Sequence, residues 1–200
     1  MTGCVAWRDL PRILLLVVVP LLGLTPCLPA SAAGPWQGRL VDKVTGQPIE
    51  GAVVVAIWWR RSPGPIHPGR ALHDVVEVVS DASGRFTIPP VRTFTLVPFN
   101  WVQGADVRIF KSGYGRWDFQ GRQGAARLRY QSDEQNPWIL AAWKKFENEG
   151  VVLELPPIRD REERSVFLME MQLSGDVPDD RIPHYRRALS DELEHLRRLR

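Results

Sequence analysis

The stretch VTGQPIEGAVVVAIWW, residues 44–59, decides how the rest of the chain reads. Its first half is a turn, because Gly46 can take a positive φ and Pro48 fixes its own. Its second half, GAVVVAIWW, is β-branched and aromatic without a polar break, the pattern of a central strand buried on both faces. Consecutive Trp58 and Trp59 on such a strand point to opposite sides. Six further runs of strand character flank it at 36–44, 73–81, 85–90, 93–99, 105–117 and 150–158. Glycine and proline punctuate the gaps. RRSPGPIHPGR at 60–70 reads as a loop, and Asp81 with Gly84 frames a tight turn. Seven strands of this kind predict a mainly β, antiparallel seven-stranded, Ig-like sandwich.

Helical grammar interrupts and then follows the strands. In the insertion 120–149, Trp138, Ala141, Ala142, Lys145 and Phe146 recur at helical spacing, which predicts a short helix near 133–148. Beyond Pro157, residues 159–173 place Val166, Met169 and Leu173 on one helical face, with a strand over 166–173 as the alternative. In residues 181–200, Tyr185, Leu189, Leu193, Leu196 and Leu199 form one stripe of an amphipathic helix. Such a stripe docks on the sandwich; the alternative is a partner or a membrane surface, which the basic end RRLR keeps open.

The first 33 residues read as a secretory signal. Arg8 and Arg12 precede an apolar run at 13–24, and the small residues at 30–34 follow. Cleavage is expected after Ala32 or Ala33, and a secreted or periplasmic location follows. The division is therefore 1–33 signal, 34–158 sandwich and 159–200 helical C-terminal extension. Both cysteines, Cys4 and Cys27, lie in the first segment, so the rest must fold without disulfides. Pro26 before Cys27 departs from a lipid-attachment site, which wants a small residue there. The net charge of +3 is spread along the chain, which argues against nucleic-acid binding.

GRLVDKVTGQPIEGAVV together with SDASGRFTIPP resembles the carboxypeptidase regulatory-like family, a transthyretin-like sandwich module. The matching residues are Gly38, Gly46, Pro48, Gly51, Ala52, Asp81, Gly84 and Phe86. The resemblance covers roughly residues 36–158, with the second insertion as a departure. It implies a fold and an accessory role, because these residues set turns and packing rather than chemistry.

The enzyme classes that share such a scaffold want residues this chain does not offer. A metallocarboxypeptidase zinc site needs His-x-x-Glu, and none of His67, His73, His184 and His195 has Glu three positions on. The hairpin also resembles the start of intradiol dioxygenases, whose iron takes two tyrosines and two histidines; the Gly-x-Tyr that the resemblance implies after the Ile-Trp strand reads RRSPGPIHPGR here, and no His-x-His pair occurs. No Gly-x-Ser-x-Gly elbow occurs. No catalytic residue, metal or cofactor is therefore assigned. Trp58, Trp59, Trp101 and Trp117 are candidate binding residues, since exposed aromatics form platforms for sugars or peptide side chains. The opposing account is that the insertion and the C-terminal helix cover them. The expected function is a non-catalytic module with a structural or protein-interaction role in the cell envelope. A glycan-binding aromatic platform is the alternative, and a metal-dependent enzyme is the third. Partners are an envelope protein or glycan. Membrane contact is expected only through the signal segment or weakly through the C-terminal helix.

Overall fold

The computed structural model describes residues 32–64, 67–122 and 137–198. The expected signal segment, 1–33, lies outside them except for Ala32 and Ala33. These residues are mainly β, with three sheets and three α-helices, the last helix at the C-terminal end. In chain order the strands are β1 (Ala32–Ala33), β2 (Trp36–Asp42), β3 (Val53–Ser62), β4 (Gly69–Val79), β5 (Arg85–Ile88), β6 (Val91–Arg92), β7 (Trp101–Phe110), β8 (Asp118–Phe119) and β9 (Val151–Leu155). The helices are α1 (Pro137–Asn148), α2 (Arg161–Glu170) and α3 (Pro183–Arg198). Two larger sheets carry the fold, one ordered β5-β2-β9-β8 and the other β4-β3-β7; β1 and β6 form a small pair.

The apolar run at 53–59 is a central strand, as its composition predicts. β3 pairs antiparallel with β4 on one side and β7 on the other. Val54, Ala56 and Trp58 face a core shared with Leu40, Phe86, Ile88, Ile109, Leu153 and Phe146 of α1. Val53, Val55, Ile57 and Trp59 face a second core with Phe167, Leu168, Ile182, Tyr185, Leu189 and Leu196. The first core lies between the two sheets, and the second lies between the β3 sheet and the C-terminal helices. A strand with apolar matter on both sides needs no alternation, which is why 53–59 reads as one unbroken run.

The turn glycines act as their positions require. Gly84 has φ +74, and a Cβ there would overlap the Leu40 carbonyl. Gly38 sits opposite Phe86 across the β2–β5 pair, and its missing side chain is the space the Phe86 ring fills. The spacing of Gly38, Gly84 and Phe86 is therefore a packing requirement.

Of the expected C-terminal stripe, Tyr185, Leu189 and Leu196 are buried in the second core, Leu193 is exposed, and Leu199 lies outside the described residues. Glu77 of β4 accepts hydrogen bonds from the backbone N–H groups of His184 and Tyr185 (3.1 and 2.6 Å), so a sheet carboxylate caps the start of α3. Tyr185 is fully buried and its hydroxyl donates to the Met171 carbonyl at 2.7 Å. Arg161 of α2 donates to the Leu196 carbonyl near the other end of α3.

Several expectations need correction. Residues 93–99 form no strand: Pro98 cannot donate to a ladder, Val97 before it is restricted, and Phe99 has φ 65. The segment closes as a turn, with the Asn100 N–H on the Val97 carbonyl at 3.2 Å. Nine strands are described where seven were expected, three of them only two residues long. The sheets are not wholly antiparallel, since β2 and β9 run parallel, from Gly38 opposite Val151 to Asp42 opposite Leu155. A parallel partner needs a long connection, and here everything from β3 to α1 lies between β2 and β9 in the chain. β3 and β4 reach into the expected 60–70 loop, pairing as far as Ser62 opposite Gly69. β7 occupies 101–110, not 105–117. The 161–170 segment is helical, with Asp160 as its cap, and the strand alternative at 166–173 is not adopted. α1 begins at Pro137, and residues 133–136 of its expected range lie outside the described ones.

Candidate functional site

The two ends of the β3 sheet differ in chemistry. One end is made of polar turns. Asp42 accepts from the backbone N–H groups of Val44 and Thr45 (2.7 and 2.8 Å) and from the Tyr114 hydroxyl (3.1 Å). The Thr45 N–H bond foremost, with those of Val44 and Tyr114, holds the Asp42 carboxyl below its ordinary value, against the opposing effect of burial. Burial first, and then the Asp42 carboxylate, raises the Tyr114 phenol. Asp81 is spent in the same way on Ser83 and Arg85, and the Ser83 hydroxyl is the leading cause of its lowered value. These carboxylates close turns, Asp42 through both oxygens and Asp81 through Oδ1.

Near that end, Ser112 donates to the buried Glu192 at 2.5 Å, while Arg164 grips both Glu192 oxygens at 2.7 to 2.8 Å. The trio joins the turn after β7 to α2 and α3. Its carboxylate is already paired twice over, so it ties elements together rather than activating the serine. His73 Nε2 lies 2.7 Å from the Arg92 carbonyl. Among the described residues no group of three or more His, Cys, Asp or Glu side chains is placed to hold a metal.

The other end is the tip formed by the β3–β4 hairpin, β6, the turn 93–100 and the start of β7. It exposes large apolar side chains in one short segment: Phe94, Leu96, Val97, Phe99 and Trp101, with Leu96 87% and Phe99 84% exposed. Phe99 combines that exposure with a left-handed backbone, a costly conformation for a bulky residue and one that buries nothing in return. The stretches 60–73 and 91–104 together carry Arg60, Arg61, Arg70 and Arg92, and neither contains an Asp or Glu. Register places Arg70, Arg61 and Trp101 in one row across β4, β3 and β7. Arg70 stacks over Trp59 with its guanidinium carbon 3.5 Å from the ring centroid, and Arg61 donates to Gln103 at 2.8 Å. Among the described residues none of these four arginines forms an ion pair. Two arginines directly opposite each other repel, so the row is a place where an anion relieves strain.

The structure does not bring the four candidate tryptophans together. Trp58 is buried between the sheets beside Trp36, and Trp59 is buried beneath the C-terminal helices. Neither indole N–H has a partner among the described residues, so both rings serve as volume. Trp117 is half-buried against Phe119 and Trp143, with its N–H on the Val107 carbonyl at 3.3 Å. Only Trp101 of the four is open to solvent, at 48%. The motif residues Gly38, Gly46, Pro48, Gly51, Ala52, Asp81, Gly84 and Phe86 lie in strands and turns remote from the tip. Sequence reasoning missed Phe94, Leu96, Val97, Phe99, Arg61 and Arg70. Their signal was the acid-free pair of stretches, each joining arginine to bulky or turn-forming residues.

Comparison of the chain with family models, with curated proteins and with solved structures found no match.

Proposed function

We propose that this chain is a non-catalytic, secreted or periplasmic module of the carboxypeptidase regulatory-like type that engages a component of the cell envelope through its apolar and basic tip. One observation carries the reading. Five large apolar side chains stand in solvent within eight residues, on a turn whose Phe99 is held at positive φ. Soluble domains rarely leave such a patch bare unless something covers it. The polar clusters elsewhere support it too, because each is consumed in closing a turn or clamping a helix. The glycan-platform alternative loses its aromatic pair, since Trp58 and Trp59 are buried.

Photocrosslinking in the native cell tests this. A photoreactive residue at position 96 or 99 is expected to capture an envelope component, whereas one at Val44, 75% exposed at the opposite end, is not. Equal capture from both ends, or none from the tip, overturns the assignment.

A further inference from the structure

We infer that the tip docks on an anionic lipid surface. This rests on the tip being the interaction surface and names what it meets.

The side chains are ordered by polarity along the strand direction. The 93–100 turn, which leads into β7, exposes Phe94, Leu96, Val97 and Phe99. Next comes Trp101, the first residue of β7, level with Arg61 and Arg70. Behind that row the strands run back to the buried cores. A bilayer presents the complementary sequence: hydrocarbon, then a headgroup layer where tryptophan and arginine both settle, then water. The row Arg70–Arg61–Trp101 is about 10 Å wide across three strands, with its two arginines on adjacent strands about 5 Å apart.

The charge selects the kind of lipid. The two tip stretches carry four arginines and no carboxylate. Facing groups on adjoining segments do not cancel this: Asp74 is engaged by Arg181, and Asp106 by Arg108. Arginine at a surface of phosphatidylglycerol-type headgroups gains about fivefold in affinity per residue. A protruding turn also suits a soft medium, since a protein partner would need a pocket shaped for four separate side chains. Among the described residues no helix is long and apolar enough to cross a membrane.

The test is flotation of the purified full chain with vesicles of phosphatidylcholine alone, and with about one third phosphatidylglycerol added. Wild type is expected to float with the anionic vesicles and to lose binding about tenfold or more without them. Leu96→Ser/Phe99→Ser is expected to weaken binding at least tenfold, and Arg61→Gln/Arg70→Gln roughly 25-fold in low salt. Every variant keeps the same N-terminal segment, so any binding through residues 13–24 is common to all. Leu96 and Phe99 are exposed, and far-ultraviolet circular dichroism confirms that the variants fold. A blue shift of tryptophan emission on adding anionic vesicles is expected in wild type and absent in Trp101→Phe. The inference is overturned if both double variants float as wild type does, or if anionic and neutral vesicles bind alike. If positions 96 and 99 crosslink in cells to a protein or to a second copy of this chain while vesicles fail to bind, the lipid is wrong and the tip stands. If they crosslink to nothing and vesicles fail, both readings fall.

Discussion

Phe99 is a bulky residue held at φ 65 and 84% exposed, so its ring contributes little to the folded state while its backbone conformation costs it. A non-glycine residue in this region loses about 1 to 2 kcal/mol, and glycine adds back about 0.5 to 1 through a freer unfolded chain. Phe99→Gly is therefore expected to leave urea stability unchanged or raise it by up to ~1 kcal/mol, while weakening tip binding. A loss of more than about 1 kcal/mol would show that the ring packs in the native state. Asp42 has the opposite character. Its three hydrogen bonds favour the carboxylate, so its folded pKa lies below the ordinary 3.8. Its stabilising contribution is complete above the unfolded value and drains away as pH falls below about 4 through the lowered folded value. Asp42→Asn is expected to lower stability at neutral pH and to flatten the acid limb of stability against pH, read by urea midpoints. An unchanged acid limb would mean the carboxylate contributes nothing.

Among the elements, α3 depends on buried polar contacts as well as on its stripe. Glu192 is 4% exposed and held by Arg164 and Ser112. Removing one partner of a buried pair strands the other, and Glu192→Ala is expected to cost about 3 kcal/mol. Limited proteolysis should then cut α3 before the sheets. The double replacement Arg164→Met/Glu192→Leu is expected to recover most of the loss, because no charge is left stranded. Element by element, legibility followed how local each signal was. The turn at Asp81–Gly84 and the stripe of α3 lie within a few residues and were readable. The 93–99 segment has strand composition, yet its fate depends on whether a neighbour offers a ladder. Proline 98 was the local hint against one.

For the whole molecule, β3 serves two cores at once, so the C-terminal helices are part of the folded body rather than an appendage. A chain ending at residue 158 would uncover Val53, Val55, Ile57, Trp59 and Phe110. Burying each large apolar side chain is worth about 1.5 to 3 kcal/mol, so the truncated chain is expected to lose cooperative unfolding and to bind a hydrophobic dye. Retained cooperative unfolding would make the second core dispensable. The two-sided burial of β3 was readable from GAVVVAIWW, but which elements cover each side was not, because such contacts span most of the chain. The tip was hidden for a related reason: an apolar residue in sequence looks the same whether it meets a core or stands bare. The parallel match of Gly38 with Val151 carries its own consequence. During synthesis the β9-facing edge of β2 stays bare until residue 155 has emerged, and non-local pairings of this kind form slowly. A nascent chain in that condition is open to misjoining with its neighbours, and chaperone protection until β9 arrives would raise its yield.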